Sequence, residues 1–143
     1  MNQGRKERVL EGLESLGLEQ MLVCDPLSIW YLTGYYTEPY ERFLALYLGK
    51  GQTVLFANRL FPDATGAADR VVGFDDTQDP IPLVAEVTRY DAPLGVDKEL
   101  AARWLLPLMD TGAASGFRLA SSAVDEARSV KDERERQLMR DAS

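Results

Sequence analysis

The sequence predicts a layered α/β domain with a mixed β-sheet, and three observations carry that prediction. Short apolar runs alternate along the chain with stretches of helical periodicity, at the spacing of strands joined through helices. Two of the runs, residues 43–48 (FLALYL) and 53–57 (TVLFA), flank Gly49-Lys50-Gly51 as a hairpin, so at least one strand pair is antiparallel. The chain has 143 residues, 45% apolar and 27% charged, which is enough for one buried core without disulfides or metals.

The elements follow in order. Val9, Leu10, Leu13 and Leu16 recur at helical spacing, and Gly17 stands where a left-handed cap ends the helix. Residues 20–24 (QMLVC) are too short for a helix and read as a buried strand stopped by Asp25-Pro26. Pro26 opens a helical turn, since its missing N–H costs nothing there, and Gly34 closes it. An aromatic loop, residues 35–42 (YYTEPYER), leads into the hairpin, whose glycines are available for positive φ. A strand follows Gly49-x-Gly51, so this is a hairpin turn and not a phosphate-cradling loop.

Residues 58–68 are polar, broken by Pro62 and Gly66, and read as a loop with a helical turn. Residues 70–74 (RVVGF) form a strand. Asp75, Asp76 and Asp79 lack the spacing of a calcium loop and are assigned to turn chemistry, with Asp79 capping a helix from Pro80. Leu83, Val84, Val87 and Tyr90 predict that helix, residues 93–97 (PLGVD) a strand, and residues 100–109, with Trp104, an apolar helix ended by Gly112. Residues 116–121 make the last strand and 122–128 a short helix capped by Ser121 or Ser122. Residues 131–142 again have helical character, with Asp132–Arg136 and Glu133–Gln137 pairs and an apolar edge at Leu138, Met139 and Ala142. Nothing stops this last segment before Ser143, so it reads as the start of a longer helix; a frayed terminal helix is the alternative.

Composition narrows the chemistry. Sixteen Lys and Arg against 23 Asp and Glu give a formal charge of −7, and no basic stripe is present, so a nucleic-acid partner is not expected. There is no histidine, which removes Ser-His-Asp and Cys-His nucleophiles and every imidazole metal site from this chain. Neither catalytic residues nor metal ligands are therefore assigned to it. The single cysteine, Cys24, has no partner for an internal disulfide, and Arg5, Lys6, Glu7 and Arg8 stand where a signal peptide needs apolar residues. The longest uncharged run, residues 26–37, is broken by Gly34. These features predict a cytoplasmic chain with no membrane span.

Five of the six tyrosines lie between positions 31 and 47, with Arg42 among them and Trp30 immediately before. Tyr, Trp and Arg anchor interfaces and pockets, because they offer large contact area and a polar tip. Trp30 and Tyr31 are expected in the core and Tyr47 on a strand face. Tyr35, Tyr36 and Tyr40, on a Gly- and Pro-bounded loop, are candidates for an interface or ligand role against plain surface exposure.

The order of these segments resembles the N-terminal domain of the creatinase/prolidase/aminopeptidase P family. The resemblance rests on Asp25-Pro26-x-x-Ile29-x-Tyr31-Leu32-Thr33-Gly34, the loop ending in Arg42, the hairpin at Gly49-Lys50-Gly51, and Arg128-x-x-Lys131-x-x-x-Glu135 followed by Leu138-Met139-Arg140-x-Ala142. It covers essentially the whole chain and is most like a Xaa-Pro dipeptidase. It implies a three-layer α/β/α fold with a ribonuclease H-like mixed sheet over residues 1–128, without nuclease activity. Residues 129–143 would begin the linking helix to a catalytic domain that is not in the chain.

In that family the downstream domain holds two divalent metal ions (Mn, Co or Zn) on two Asp, one His and two Glu. The resemblance therefore implies that this chain alone is non-catalytic and that its parent is a proline-specific metallopeptidase, a Xaa-Pro dipeptidase or aminopeptidase P-like enzyme. It further implies a homodimer acting on a proline-containing peptide, with the loop after Gly34 reaching the neighbouring subunit's pocket. On this alignment Tyr40 and Arg42 contact substrate in trans, and Tyr35 and Tyr36 are candidate interface residues; an edge-strand charge is the plainer reading of Arg42. A free-standing ligand- or partner-binding module of the same fold and the N-terminal domain of a creatinase-type amidinohydrolase are the alternatives.

Overall fold

A computed structural model describes residues 1–130, which form a six-stranded mixed sheet between two layers of helices. The elements run α1 (Gln3–Ser15), β1 (Gln20–Val23), α2 (Pro26–Thr33), β2 (Leu44–Gly49), β3 (Thr53–Asn58), β4 (Arg70–Phe74), α3 (Ile81–Ala85), β5 (Leu94–Val96), α4 (Ala102–Asp110), β6 (Phe117–Leu119) and α5 (Ser121–Ser129). The strand order is β4-β3-β2-β1-β5-β6. β1, β2 and β3 pair antiparallel, while β5 joins β1, β6 joins β5 and β4 joins β3 in parallel. The five strands from β3 to β6 thus have the ribonuclease H-like arrangement, with β4 added outside β3.

The period of two along the strands divides the core. Leu44, Leu46 and Leu48 of β2 face α1, α2 and α5 with Val9, Leu13, Ile29, Leu32 and Val124. Ala45 and Tyr47 face the other way, toward Ile81 and Val84 of α3 and Leu108 of α4. Both faces of β1, β2 and β3 are buried, which is why these strands read as continuous apolar runs rather than alternating ones.

Gly17 and Gly34 take φ of 73° and 78° just beyond α1 and α2, the left-handed region that ends a helix without a Cβ penalty. Gly49 and Gly51 do not: the hairpin closes with the Gly49 N–H donating to the Gln52 carbonyl at 3.0 Å and neither glycine at positive φ.

Several local expectations are corrected. The helix from Pro80 is only one turn, and Tyr90 lies outside it, exposed. The physical cause is Gln20, buried on β1, whose Nε2 donates to the carbonyls of Arg89 and Ala92 and whose Oε1 accepts from the Arg89 N–H. Those groups are thereby drawn away from helix bonding. Asp79 does accept from the Ile81 N–H at 3.0 Å, but Pro80 holds the cap position. Residues 59–69 make turns and no helix. α4 starts at Ala102, with Leu108 its only buried residue and Leu106 and Met109 exposed. α5 starts at Ser121 behind Ala120, and the Ser121 hydroxyl accepts from the Lys98 N–H instead of capping. Trp30 is half exposed, not in the core. The expected helix at 131–142 lies outside the described residues.

Candidate functional site

The tyrosine loop is set by what precedes and follows it. Asp25 ends β1, and Pro26 then starts α2, whose Ile29 and Leu32 enter the core. The Tyr31 hydroxyl donates to the Ala127 carbonyl of α5 at 2.9 Å, locking α2 in place. The resemblance motifs at Asp25 and Arg128 meet here: Arg128 Nη1 and the Ser28 hydroxyl donate to Asp25 Oδ2 at 3.1 and 2.7 Å. These residues fasten α5 to the start of α2, so their role in this chain is structural.

Past Gly34 the loop is tied at both ends. The Thr33 hydroxyl oxygen accepts from the Tyr35 N–H at 3.0 Å, and the Tyr35 hydroxyl donates to the Pro62 carbonyl at 2.8 Å. Burial, then the nearby Asp63, raises the Tyr35 phenol. At the far end, Arg42 Nε and Nη2 donate to Asp76 Oδ1 and Oδ2, each at 3.1 Å, a two-pronged fork. Asn58, at the end of β3 and 3% exposed, donates to Asp76 Oδ1 at 2.7 Å and accepts from the Leu60 N–H. Hydrogen bonding to Asp76 raises the Arg42 guanidinium, and the bonds from Arg42 and Asn58 hold the Asp76 carboxyl below the usual range. Arg42 Nη1 takes no part in the fork and lies 3.9 Å from Glu41.

Between these ties the loop projects. Tyr36 is exposed, its hydroxyl donating to Glu38, whose hydrogen bond raises the phenol. Tyr40 is 79% exposed and has φ of 53°, the one non-glycine positive φ among the described residues. A bulky residue there is strained by about 1–2 kcal/mol, a cost that clusters at sites with a task. Beside it an open cleft of about 170 Å³ runs between Glu38, Tyr40 and Arg42 on one side and Glu99, Arg103 and Trp104 on the other. Phe43 supports the floor, edge-on to Trp104 at 5.4 Å. The cleft is below the roughly 300–1,000 Å³ of a site that encloses a small molecule.

The structure brings Tyr40 and Arg42 to one cleft and sends Tyr35 toward Pro62, away from it. Arg42 precedes β2, which lies inside the sheet, so it does not charge an edge strand. Asp76 and Asn58 escaped the sequence reading, which gave Asp76 to turn chemistry. Asp75 does fill that role, accepting from Thr77. The signal that would have found Asp76 is the parallel β3–β4 register, Asn58 opposite Phe74. Among the described residues no group of three or more His, Cys, Asp or Glu could hold a metal ion.

Residues 5–130 match the Creatinase/Prolidase N-terminal domain family. The chain belongs to that family. It is 26% identical over 133 residues to an uncharacterized peptidase of Staphylococcus saprophyticus, covering 90% of this chain and 37% of that protein. An uncharacterized peptidase of Staphylococcus aureus is 31% identical over 80 residues, covering 53% and 23%. The chain thus spans well under half the length of these relatives. Among solved structures, a proline dipeptidase from Streptococcus pneumoniae superposes with a TM-score of 0.77 at 26% identity, over 92% of this chain and all of that one. The N-terminal domain of an X-Pro dipeptidase from Streptococcus pyogenes gives 0.73 at 26%, over 88% and 99%. A dipeptidase from Pyrococcus horikoshii gives 0.79 at 22%, over 94% and 39%, and shares the fold.

Proposed function

We propose that this chain is the N-terminal domain of a proline-specific metallopeptidase, a Xaa-Pro dipeptidase or aminopeptidase P-like enzyme, and that it pairs subunits and completes the neighbouring subunit's substrate pocket. The observation that carries this is Tyr40, strained and exposed on a loop tied down at both ends beside a half-open cleft. A proline ring fits flat against a tyrosine face, and Arg42 Nη1, outside the Asp76 fork, is a charged donor for a peptide carboxylate. The kinship with solved proline dipeptidase structures supports the substrate class.

The chain's own contribution is binding, orientation and exclusion of water. We assign the two divalent ions of the parent, and the group that attacks the scissile carbonyl, to a downstream domain; the chain has no histidine, and its described residues include no group of three or more His, Cys, Asp or Glu that could hold a metal ion. We further propose a cytoplasmic parent. No described helix is long and apolar enough to cross a membrane.

The test is kinetic. In the peptidase read from the frame beyond Ser143, Arg42→Ala and Tyr40→Ala each lower kcat/KM for a Xaa-Pro dipeptide by about tenfold, the loss of one charged or stacked contact. The 143-residue chain alone is expected to show no hydrolysis and to take up no stoichiometric manganese in calorimetry. A frame that stops at Ser143, or unchanged kinetics in both variants, overturns the assignment in favour of a free-standing binding module.

A further inference from the structure

We infer that Asp76 and Asn58 are positioning residues, which fix the plane of the Arg42 guanidinium so that its third nitrogen is presented to substrate; this rests on the pocket role proposed for Tyr40 and Arg42. Three planar groups stand in series. The Asn58 amide is buried at the end of β3, with its oxygen engaged by the Leu60 N–H and its nitrogen on Asp76 Oδ1 at 2.7 Å. The Asp76 carboxylate receives Arg42 Nε and Nη2 at 3.1 Å each. Two parallel bonds between a carboxylate and a guanidinium fix orientation as well as distance, which a lysine could not provide. The remaining nitrogen, Nη1, lies 3.9 Å from the exposed Glu41 carboxylate, beyond hydrogen-bonding distance, and belongs to a residue that also lines the cleft with Tyr40.

Magnitude separates orientation from stability. The Arg42 and Asp76 side chains are 35% and 53% exposed, and ion pairs of that kind add little to folding. The arrangement nevertheless ties the loop carrying Tyr40 to the sheet through one hydrogen-bonded chain, and a residue at positive φ two positions earlier needs such a fixed end. With the fork broken, Arg42 regains its rotamers and must be ordered again at every binding event.

The test is steady-state kinetics of the full-length peptidase on a Xaa-Pro dipeptide, with Arg42→Ala, Asp76→Asn, Asp76→Glu and the Asp76→Asn/Arg42→Ala double variant. Asp76→Asn is expected to raise KM by about tenfold with kcat within about twofold, as for loss of ground-state orientation. Asp76→Glu should restore most of the affinity, and the double variant should be no worse than Arg42→Ala alone, since Asp76 acts through Arg42. An unchanged KM in Asp76→Asn while Arg42→Ala raises it overturns the positioning role and leaves the pocket intact; additive losses in the double variant do the same. An unchanged KM in Arg42→Ala brings down the pocket reading, and the positioning role with it.

Discussion

Asp97 offers the sharpest test of how the end of the sheet nearest the site is held. Its side chain is 6% exposed, at the end of β5, and it accepts three backbone hydrogen bonds. The N–H groups of Cys24 and Asp25 donate to Oδ2 at 2.6 and 2.9 Å, and that of Glu99 to Oδ1 at 3.1 Å. The first two lie where β1 hands over to α2, the third on the turn before α4. Asp97→Ala leaves three N–H groups without their acceptor, one buried and two part-buried, so each costs toward the low end of about 1–3 kcal/mol and the expected loss is about 3 kcal/mol. Asp97→Asn keeps an acceptor for the Cys24 and Asp25 N–H groups and sets its amide against the Glu99 N–H, while no longer burying a charge, so about 1 kcal/mol is expected.

The assay is urea unfolding of the 143-residue chain followed by far-ultraviolet circular dichroism. With a slope of about 2 kcal/mol per molar, the alanine variant's midpoint falls by about 1.5 M. A fall below about 0.5 M, or an asparagine variant as weak as the alanine one, would refute the account. The pH dependence adds a second check. Burial pushes the Asp97 carboxyl up, against the pull of its N–H donors, so the native state binds this proton more tightly than the unfolded chain does. Stability from this group is therefore complete below the ordinary carboxylate pKa of about 3.9 and lost as pH rises through the raised value. The difference between wild type and Asp97→Asn should move in favour of wild type as pH falls from 7 toward about 4.

Three further outcomes follow from neighbouring features. Gly95→Ala would bring a Cβ within 2.8 Å of the Ala120 Cβ and 3.1 Å of Leu18 Cδ1, and should lower stability by about 1–3 kcal/mol in the same urea experiment. Burial, then the adjacent Asp97 charge, raises the Cys24 thiol, so at pH 8 a disulfide reagent should label it at the rate of unfolding and label it at once in urea. Tyr40→Gly relieves the positive φ and should raise stability by about 1 kcal/mol while lowering kcat/KM of the proposed full-length peptidase, opposite signs that a purely structural loop would not give.

The comparison of sequence with structure turns on the range of each interaction. Gly17 and Gly34 announce the ends of their helices because the cap is a local requirement of the backbone, and Leu44, Leu46 and Leu48 alternate with Ala45 and Tyr47 because the pleat imposes it. Trp30 was misplaced by composition. Ser28, Ile29, Tyr31 and Leu32 take the inner side of a two-turn helix, and the 100° step leaves Trp30 pointing out. The helix after Pro80 is shorter than its periodicity suggests for a different reason: Gln20, some seventy residues away, accepts the Arg89 N–H that a longer helix would have sent to the Ala85 carbonyl.

By itself, then, the sequence determined the class of fold, the strand and helix order, the family, and the exclusion of imidazole chemistry, because periodicity, turn residues and composition are properties of neighbouring positions. Tertiary structure alone decided that Arg42 is forked onto Asp76, that Asp97 gathers three N–H groups, and that Tyr40 rather than Tyr35 faces the cleft. Each depends on which strands lie side by side. That register is set by the packing of whole faces, and no window of the chain contains it.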